Sequence, residues 1–301
     1  MKRQVRSFLE EMEVRRGCSV RTRQAYAGDL RRWLTFLRQQ LGREPEVTDF
    51  TRDLVRKFLE AEIRAGRRRT TLLRRVSALR RLADYLMEQG VAVARLEQDE
   101  GIVKVVDNAP PQSPTDCLNT EQLESVWKKL RADRRPIACR DQAIFALILQ
   151  TGVSVRNLVE LNITDIDLYT RRIALQRGKG KAWFPIGATY EVIKRYLEVG
   201  RPELIKNVHE TALFISQMGG GMTRQGVWQI LRRWGREADL PFRLTPRVLR
   251  HTAALCFYQE GRSLIELQAL LGHTNPLSTQ ALIRRLRASC GGVKVSLQLG
   301  E

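Results

Sequence analysis

From about Gln4 to Gln89, apolar side chains recur every three or four positions: Tyr26, Leu30, Trp33, Leu34 and Leu37, then Val55, Phe58, Leu59 and Ile63, then Leu72, Val76, Leu79 and Leu86. One apolar stripe per helical surface at this spacing predicts four helices. Ser19 or Thr22, Thr48 or Asp49, and Thr70 are the expected starts, because their side-chain oxygens can accept from the free N–H groups of a first turn. The period lapses between Glu97 and Thr115, where Asp107–Pro114 carries three prolines and has the composition of an extended connector. The expected organisation is an N-terminal helical domain over 1–92, a linker over 93–114 and a second domain over 115–301.

In the second domain helical patterns cover about 119–131, 139–150, 154–161, 187–199, 223–238, 246–261, 263–271 and 277–288. One stretch breaks the period. Arg171–Arg177 alternates, Gly178-Lys179-Gly180-Lys181 can turn, and Ala182–Ile186 returns, which predicts a β-hairpin with lysine at its tip. The fold class expected is therefore mainly α with a small β-sheet, in two domains: an all-helical bundle followed by a mixed α+β domain.

The chain has 301 residues, enough for two ordinary domains, and 43% hydrophobic residues, enough to build cores; this excludes a disordered tail protein. No apolar run approaches the roughly 18 residues that span a bilayer, so no membrane partner is expected. The opening stretch Met1–Val14 mixes charge with its apolar residues and lacks the apolar core of a secretory signal. A cytoplasmic location, on the nucleoid in a bacterium, is expected. Five cysteines, Cys18, Cys117, Cys139, Cys256 and Cys290, lie far apart without a CxxC pair, and only three histidines accompany them. Neither a disulfide framework nor a metal site is expected, and no cofactor is implied.

Charge sharpens the picture. The chain carries 52 Lys and Arg against 33 Asp and Glu, a net +19, divided as +8 over residues 1–100 and +11 over the rest. A polyanion that touches both domains is the natural partner. The densest basic run lies between Glu62 and Asp84, where no acid interrupts Arg64, Arg67, Arg68, Arg69, Arg74, Arg75, Arg80 and Arg81. At 100° per residue Leu72, Val76, Leu79 and Leu86 share one face of the fourth helix, with Arg74, Ser77 and Arg81 roughly opposite. Arginine offers planar donor forks to phosphate oxygens and to guanine edges, so this surface is expected to contact double-stranded DNA. A merely solvated charged face is the plainer alternative, although such a face normally interleaves both signs.

Four blocks then occur in order: Thr151-Gly152 leading to Leu158-Val159-Glu160-Leu161, the Gly178-Lys179-Gly180 turn, the box Leu244–His251 with its Pro-x-x-Leu-Arg-His core, and Leu270-Leu271-Gly272-His273. With the helical N-terminal domain before them, the chain resembles the tyrosine recombinases, or phage integrases, and the Xer-like members in particular. The resemblance runs through nearly the whole chain and implies the family's two-domain architecture. It also implies the family's chemistry: a tyrosine attacks the scissile phosphate, while two arginines, a lysine and two His-type positions neutralise and protonate the transition state.

Carried over position by position, the resemblance keeps Lys179 as the hairpin lysine, Arg250 as the second arginine and His273 as the later histidine. Three positions depart. The first arginine, two residues after Thr-Gly, is Ser154; the histidine opening the box is Arg247, whose guanidinium keeps its proton near neutral pH; and the tyrosine nine residues after the Leu-Gly-His histidine is Leu282. Arg156 is not expected to replace the missing arginine, since two residues along a helix rotate about 200° away from the direction of Ser154. No tyrosine follows Tyr258, which sits in the apolar run Ala254–Tyr258 and is expected to pack in the core.

The DNA-contacting set expected is thus Arg64, Arg67, Arg68, Arg69, Arg74, Arg75, Ser77 and Arg81 from the first domain, and Lys179, Lys181, Arg247, Arg250 and His273 from the second. Lys179 also reads as a solvated hairpin tip and His273 as a helix-end residue. The function expected is that of a DNA-binding protein with this fold that has lost strand cleavage and serves as an accessory or regulatory subunit in site-specific recombination or mobile-element integration. The alternative is an active strand-transfer enzyme with an unusual nucleophile, such as Ser278, Thr279 or Cys290, or a tyrosine supplied by another subunit. A helical RNA-binding or scaffold protein is the third class. Finally, Val293–Leu299 alternates apolar and polar residues after Gly291-Gly292, which predicts a strand that pairs with a sheet edge, in its own chain or in another recombinase subunit.

Overall fold

The computed structural model describes residues 1–14, 18, 20–96, 99–107, 117–177, 180–273 and 275–290. The chain divides into two units, Met1–Ser113 and Pro114–Glu301. In the first, helices α1 (Lys2–Val14), α2 (Val20–Leu41), α3 (Arg52–Arg64) and α4 (Arg69–Glu88) are followed by α5 (Glu100–Asp107). Their apolar stripes meet in one core in which Trp33 is enclosed by Phe36, Phe50 and Phe58 at ring distances of 5.9, 6.1 and 5.2 Å. Offset and edge-on ring pairs of this kind add to the burial of their area.

Helix α5 corrects the expectation of a linker across the whole of 93–114. Its Ile102 and Val106, with Leu96 before it, are buried in the first unit's core. The helix starts are also refined. Thr51, not Thr48 or Asp49, caps α3 by accepting from the Leu54 N–H at 3.3 Å, while Val47–Asp49 forms a 3₁₀ turn. Arg68, not Thr70, occupies the cap position of α4 and offers no side-chain cap. Ser19 lies outside the described residues.

The second unit is built on α6 (Thr120–Ala132), α7 (Pro136–Thr151), α8 (Val155–Val159), α9 (Tyr190–Arg195), α10 (Arg201–Leu204), α11 (Arg224–Glu237), α12 (Pro246–Gln259), α13 (Leu264–Leu271) and α14 (Pro276–Cys290). The long pattern expected over 187–199 is broken up, with a π-helical segment Tyr196–Gly200 joining α9 to α10. Central in this unit is α7, buried along nearly its whole length, which suits the all-round apolar sequence Ala143–Leu149. Its one carboxylate, Asp141, is fully buried and accepts from Arg140, Arg233 and the Trp234 indole at 2.7 to 2.9 Å. Burial pushes that carboxyl above its ordinary range, and the two guanidiniums work in the opposite direction.

The hairpin forms where expected, as β2 (Arg172–Arg177) paired antiparallel with β3 (Gly180–Pro185), with a short β1 (Ile166–Asp167) added at the edge in the order β1-β2-β3. Gly178 and Lys179 lie outside the described residues, as do 108–116 of the connector and the tail 291–301 with its predicted strand. One cysteine expectation is corrected: Cys117, just before α6, and Cys290, the last residue of α14, are disulfide-bonded across 173 residues of sequence. Sequence spacing hides this pair because the unit's first and last described residues are brought together only by folding. Cys18, Cys139 and Cys256 are free thiols.

Candidate functional site

From the end of α3 through α4 the structure divides the basic run in two. Arg64, Arg67, Arg68, Arg69, Arg74, Ser77 and Arg81 are exposed, with Arg74, Ser77 and Arg81 on the face opposite the buried stripe. Arg75 is not among them, which corrects its placement as a DNA contact. It is 7% exposed and sits between the carboxylates of Asp29, at 3.3 Å, and Glu62, both themselves buried. Its position explains this: residue 75 lies three after Leu72 and four before Leu79, on the helix's inward face. A buried guanidinium needs carboxylate partners, and α2 and α3 supply them. Burial raises the Asp29 carboxyl above its ordinary range, against the pull of Arg74 and Arg75, and the same burial lowers the Arg75 guanidinium. Some outer arginines are also held: Arg74 lies 3.0 Å from Asp29, Arg67 lies 3.5 Å from Glu62, Arg69 pairs with Asp107, and Arg81 lies over the Tyr26 ring. The acids missing from the 63–83 window are thus present in space.

In the second unit the motif blocks converge on a polar cleft of about 460 Å³. Two helix ends meet at its edge. Gly152 terminates α7 and Gly272 terminates α13, both left-handed at φ of 57° and 63°, a conformation that glycine adopts without strain. A Cβ on Gly152 would stand 3.0 Å from Leu270, so Thr151-Gly152 and Leu270-Leu271-Gly272 need each other in order to pack. From that junction Ser154 caps α8, accepting from the Asn157 N–H at 3.2 Å, and Asn157 in turn donates to the Gln176 carbonyl at 3.0 Å, which fixes α8 to the end of β2.

Ser154, Arg156, Asn157, Glu160, Gln176 and Arg250 line the cleft, with Leu271 and Gly272 at its edge. Arg250 is largely enclosed and donates to the Leu271 carbonyl; among the described residues no carboxylate pairs with it, and burial lowers its guanidinium's proton affinity. Beside it, His273 is half-buried with Nδ1 2.9 Å from the Thr279 hydroxyl. Burial first, and the Arg250 charge second, hold its imidazole below the ordinary histidine range. Arg247 is exposed on the first turn of α12, and Lys181 forms an ion pair with Asp165. Lys179 lies outside the described residues. At position 282 the leucine is partly buried against the core, on a helix whose Ile283 and Leu286 are fully packed. The arrangement presents two cations and neutral donors to an anion, with one acid, Glu160, beside Arg156.

A family model described as the phage integrase family matches residues 116–286, and one described as the phage integrase N-terminal SAM-like domain matches residues 5–90. The chain belongs to the phage integrase family, the tyrosine recombinases. Among curated relatives, it is 32% identical to tyrosine recombinase XerC of Roseiflexus castenholzii, over 93% of this chain and 88% of that one, and 30% identical to XerC of Bacillus subtilis, over 92% and 90%. Its fold is also that of the Tn1549 transposon integrase solved in complex with a circular intermediate DNA, at a TM-score of 0.73, with 18% identity over 95% of this chain and 98% of that one. For the XerH site-specific recombinase bound to its palindromic difH substrate the TM-score is 0.67, at 20% identity over 92% and 81%.

Within this tyrosine recombinase one sequence expectation about the cleft needs adjustment. Arg156 does line the same cleft as Ser154. Ser154 is a cap with extended backbone, φ −72° and ψ 148°, so the 100° per residue of a helix does not apply across it. Asn157 and Gln176 carry no role in the motif pattern; Glu160 stands in the Leu158-Val159-Glu160-Leu161 block and, four residues after Arg156, is placed to be its ion-pair partner. Tyr258 packs partly against the core, as expected, and its hydroxyl lies 3.4 Å from Arg287.

Proposed function

We propose that this chain is a DNA-binding tyrosine recombinase that has lost strand cleavage and acts as an accessory or regulatory subunit in site-specific recombination or mobile-element integration. The observation that carries this reading is Leu282, an apolar side chain packed against the core where the family's nucleophilic tyrosine would stand. Of the alternative nucleophiles on α14, Cys290 is spent in a disulfide and Thr279 is buried with its hydroxyl beside His273, while Ser278 is exposed. Covalent trapping on a nicked suicide substrate is the experiment that decides cleavage.

DNA binding rests on the net +19, on the exposed arginines of α4 and on the cleft cations. Affinity for duplex DNA is expected to fall steeply with salt, with a slope near −0.9 per neutralised phosphate. Reversing Arg68 and Arg81 to Glu is expected to abolish binding at moderate salt; both side chains are exposed, so the change tests the surface and spares the Arg75 network. Unchanged affinity would remove α4 from the interface. Lys179→Ala and Arg250→Ala are each expected to weaken binding by about 1–3 kcal/mol, the range for a charge-assisted hydrogen bond to phosphate. If Arg250→Ala leaves affinity and salt slope unaltered, the cleft is not a phosphate site.

A further inference from the structure

The cleft contains an arginine at a place where the family pattern does not put one, and an acid beside it. Arg156 and Glu160 both line it, and the Arg156 Nε lies 3.1 Å from the Glu160 carboxylate. Glu160 is the one acid among the described lining residues, and Arg250, the other cation there, has no carboxylate partner among them. We propose that Arg156 has taken over the phosphate-binding charge lost at Ser154, and that Glu160 holds it in a competing ion pair which a DNA phosphate must displace.

The physical argument has three parts. First, reach: Ser154 contributes a short cap hydroxyl engaged with the Asn157 N–H, whereas Arg156 extends a long fork from the first turn of α8 and is exposed at the mouth of the cleft. Second, lability: the Arg156–Glu160 pair is solvent-exposed and runs with the cation N-terminal to the anion, the weaker order for an i,i+4 pair on a helix. A phosphodiester that meets Arg156 and Arg250 together can therefore displace one carboxylate that meets Arg156 alone. Third, charge: the lining sets two guanidiniums against one carboxylate, and once Arg156 turns from Glu160 to a phosphate both guanidiniums can face one anion. Glu160 thereby acts as an internal competitor that favours a phosphate seated deep enough to reach both arginines over one that brushes the rim.

This inference rests on DNA binding by the chain, and the test separates the two. Binding of a fluorescein-labelled mixed-sequence duplex to the full-length protein is measured by anisotropy across a sodium chloride series, for wild type, Arg156→Ala, Glu160→Gln and the double variant. Arg156→Ala is expected to lower affinity about tenfold and to flatten the salt slope by about 0.9, the signature of one lost phosphate contact. Glu160→Gln is expected to raise affinity several-fold, and that gain is expected to vanish in the Arg156→Ala background. Wild type that binds, with Arg156→Ala indistinguishable from it, overturns the role of Arg156 while DNA binding stands. A gain from Glu160→Gln that persists without Arg156 overturns the competing pair, because Glu160 would then act only by repelling phosphate itself. Wild type that fails to bind defeats the parent reading instead. Both positions are exposed, and circular dichroism of each variant confirms that a lost contact, not a lost fold, is being read.

Discussion

No covalent protein–DNA adduct is expected from the unmodified protein on a suicide substrate, even after prolonged incubation. An adduct needs a nucleophile, and position 282 offers a hydrocarbon packed against the core. The transition state would also lack an arginine at Ser154 and a proton-donating imidazole at Arg247, and groups of this kind are each worth about 10²–10³ in rate. Leu282→Tyr alone is accordingly expected to stay below detection. The fair test of latent activity is the triple change Ser154→Arg, Arg247→His and Leu282→Tyr, assayed as a band that resists denaturing gel electrophoresis and disappears on proteolysis. An adduct from wild type, located by peptide mapping of the DNA-linked residue, would overturn the loss of cleavage and identify the substitute nucleophile at the same time.

Arg75→Ala is expected to cost about 3–5 kcal/mol of folding stability in the first unit, the penalty for removing one partner from a buried ion cluster. Asp29 and Glu62, at 5% exposure each, would be left facing one another's neighbourhood with only Arg74, Arg32 and Arg67 reaching in from the surface. A typical domain is stable by about 5–15 kcal/mol, so such a loss takes much of the margin. Urea denaturation should show the midpoint falling sharply for Arg75→Ala and hardly moving for Arg68→Ala, whose side chain is exposed. The Asp29 carboxyl, already above its ordinary range, is expected to rise further when Arg75 is removed. Because a raised carboxyl binds its proton more readily when folded, the variant should recover stability as pH falls through the Asp29 titration toward the unfolded value near 3.9 and lose it again as pH rises. A midpoint unchanged at neutral pH would show that the cluster is not holding the helices together.

Much of this protein was decided locally and could be read from its sequence. Helical period placed Leu72, Val76, Leu79 and Leu86 inside α4, alternation placed β2 and β3, and the order of the Thr-Gly, Pro-x-x-Leu-Arg-His and Leu-Leu-Gly-His blocks marked the family, because each is a short-range pattern set by backbone geometry or by one tight turn. Departures at Ser154, Arg247 and Leu282 were equally legible, since a register without gaps counts residues and nothing more. What only the tertiary structure decided involves partners distant in sequence. Arg75 read as one of a run of exposed arginines until α2 and α3 brought Asp29 and Glu62 to it from 46 and 13 residues away. Cys117 found Cys290 for the same reason. Arg156 was excluded by helical arithmetic that holds inside a helix and fails at its cap, where the extended backbone of Ser154 lets both residues border one cleft. Periodicity fixes which way a side chain leaves its own element; which charge it meets there depends on how the elements pack, and packing is a property of the whole unit.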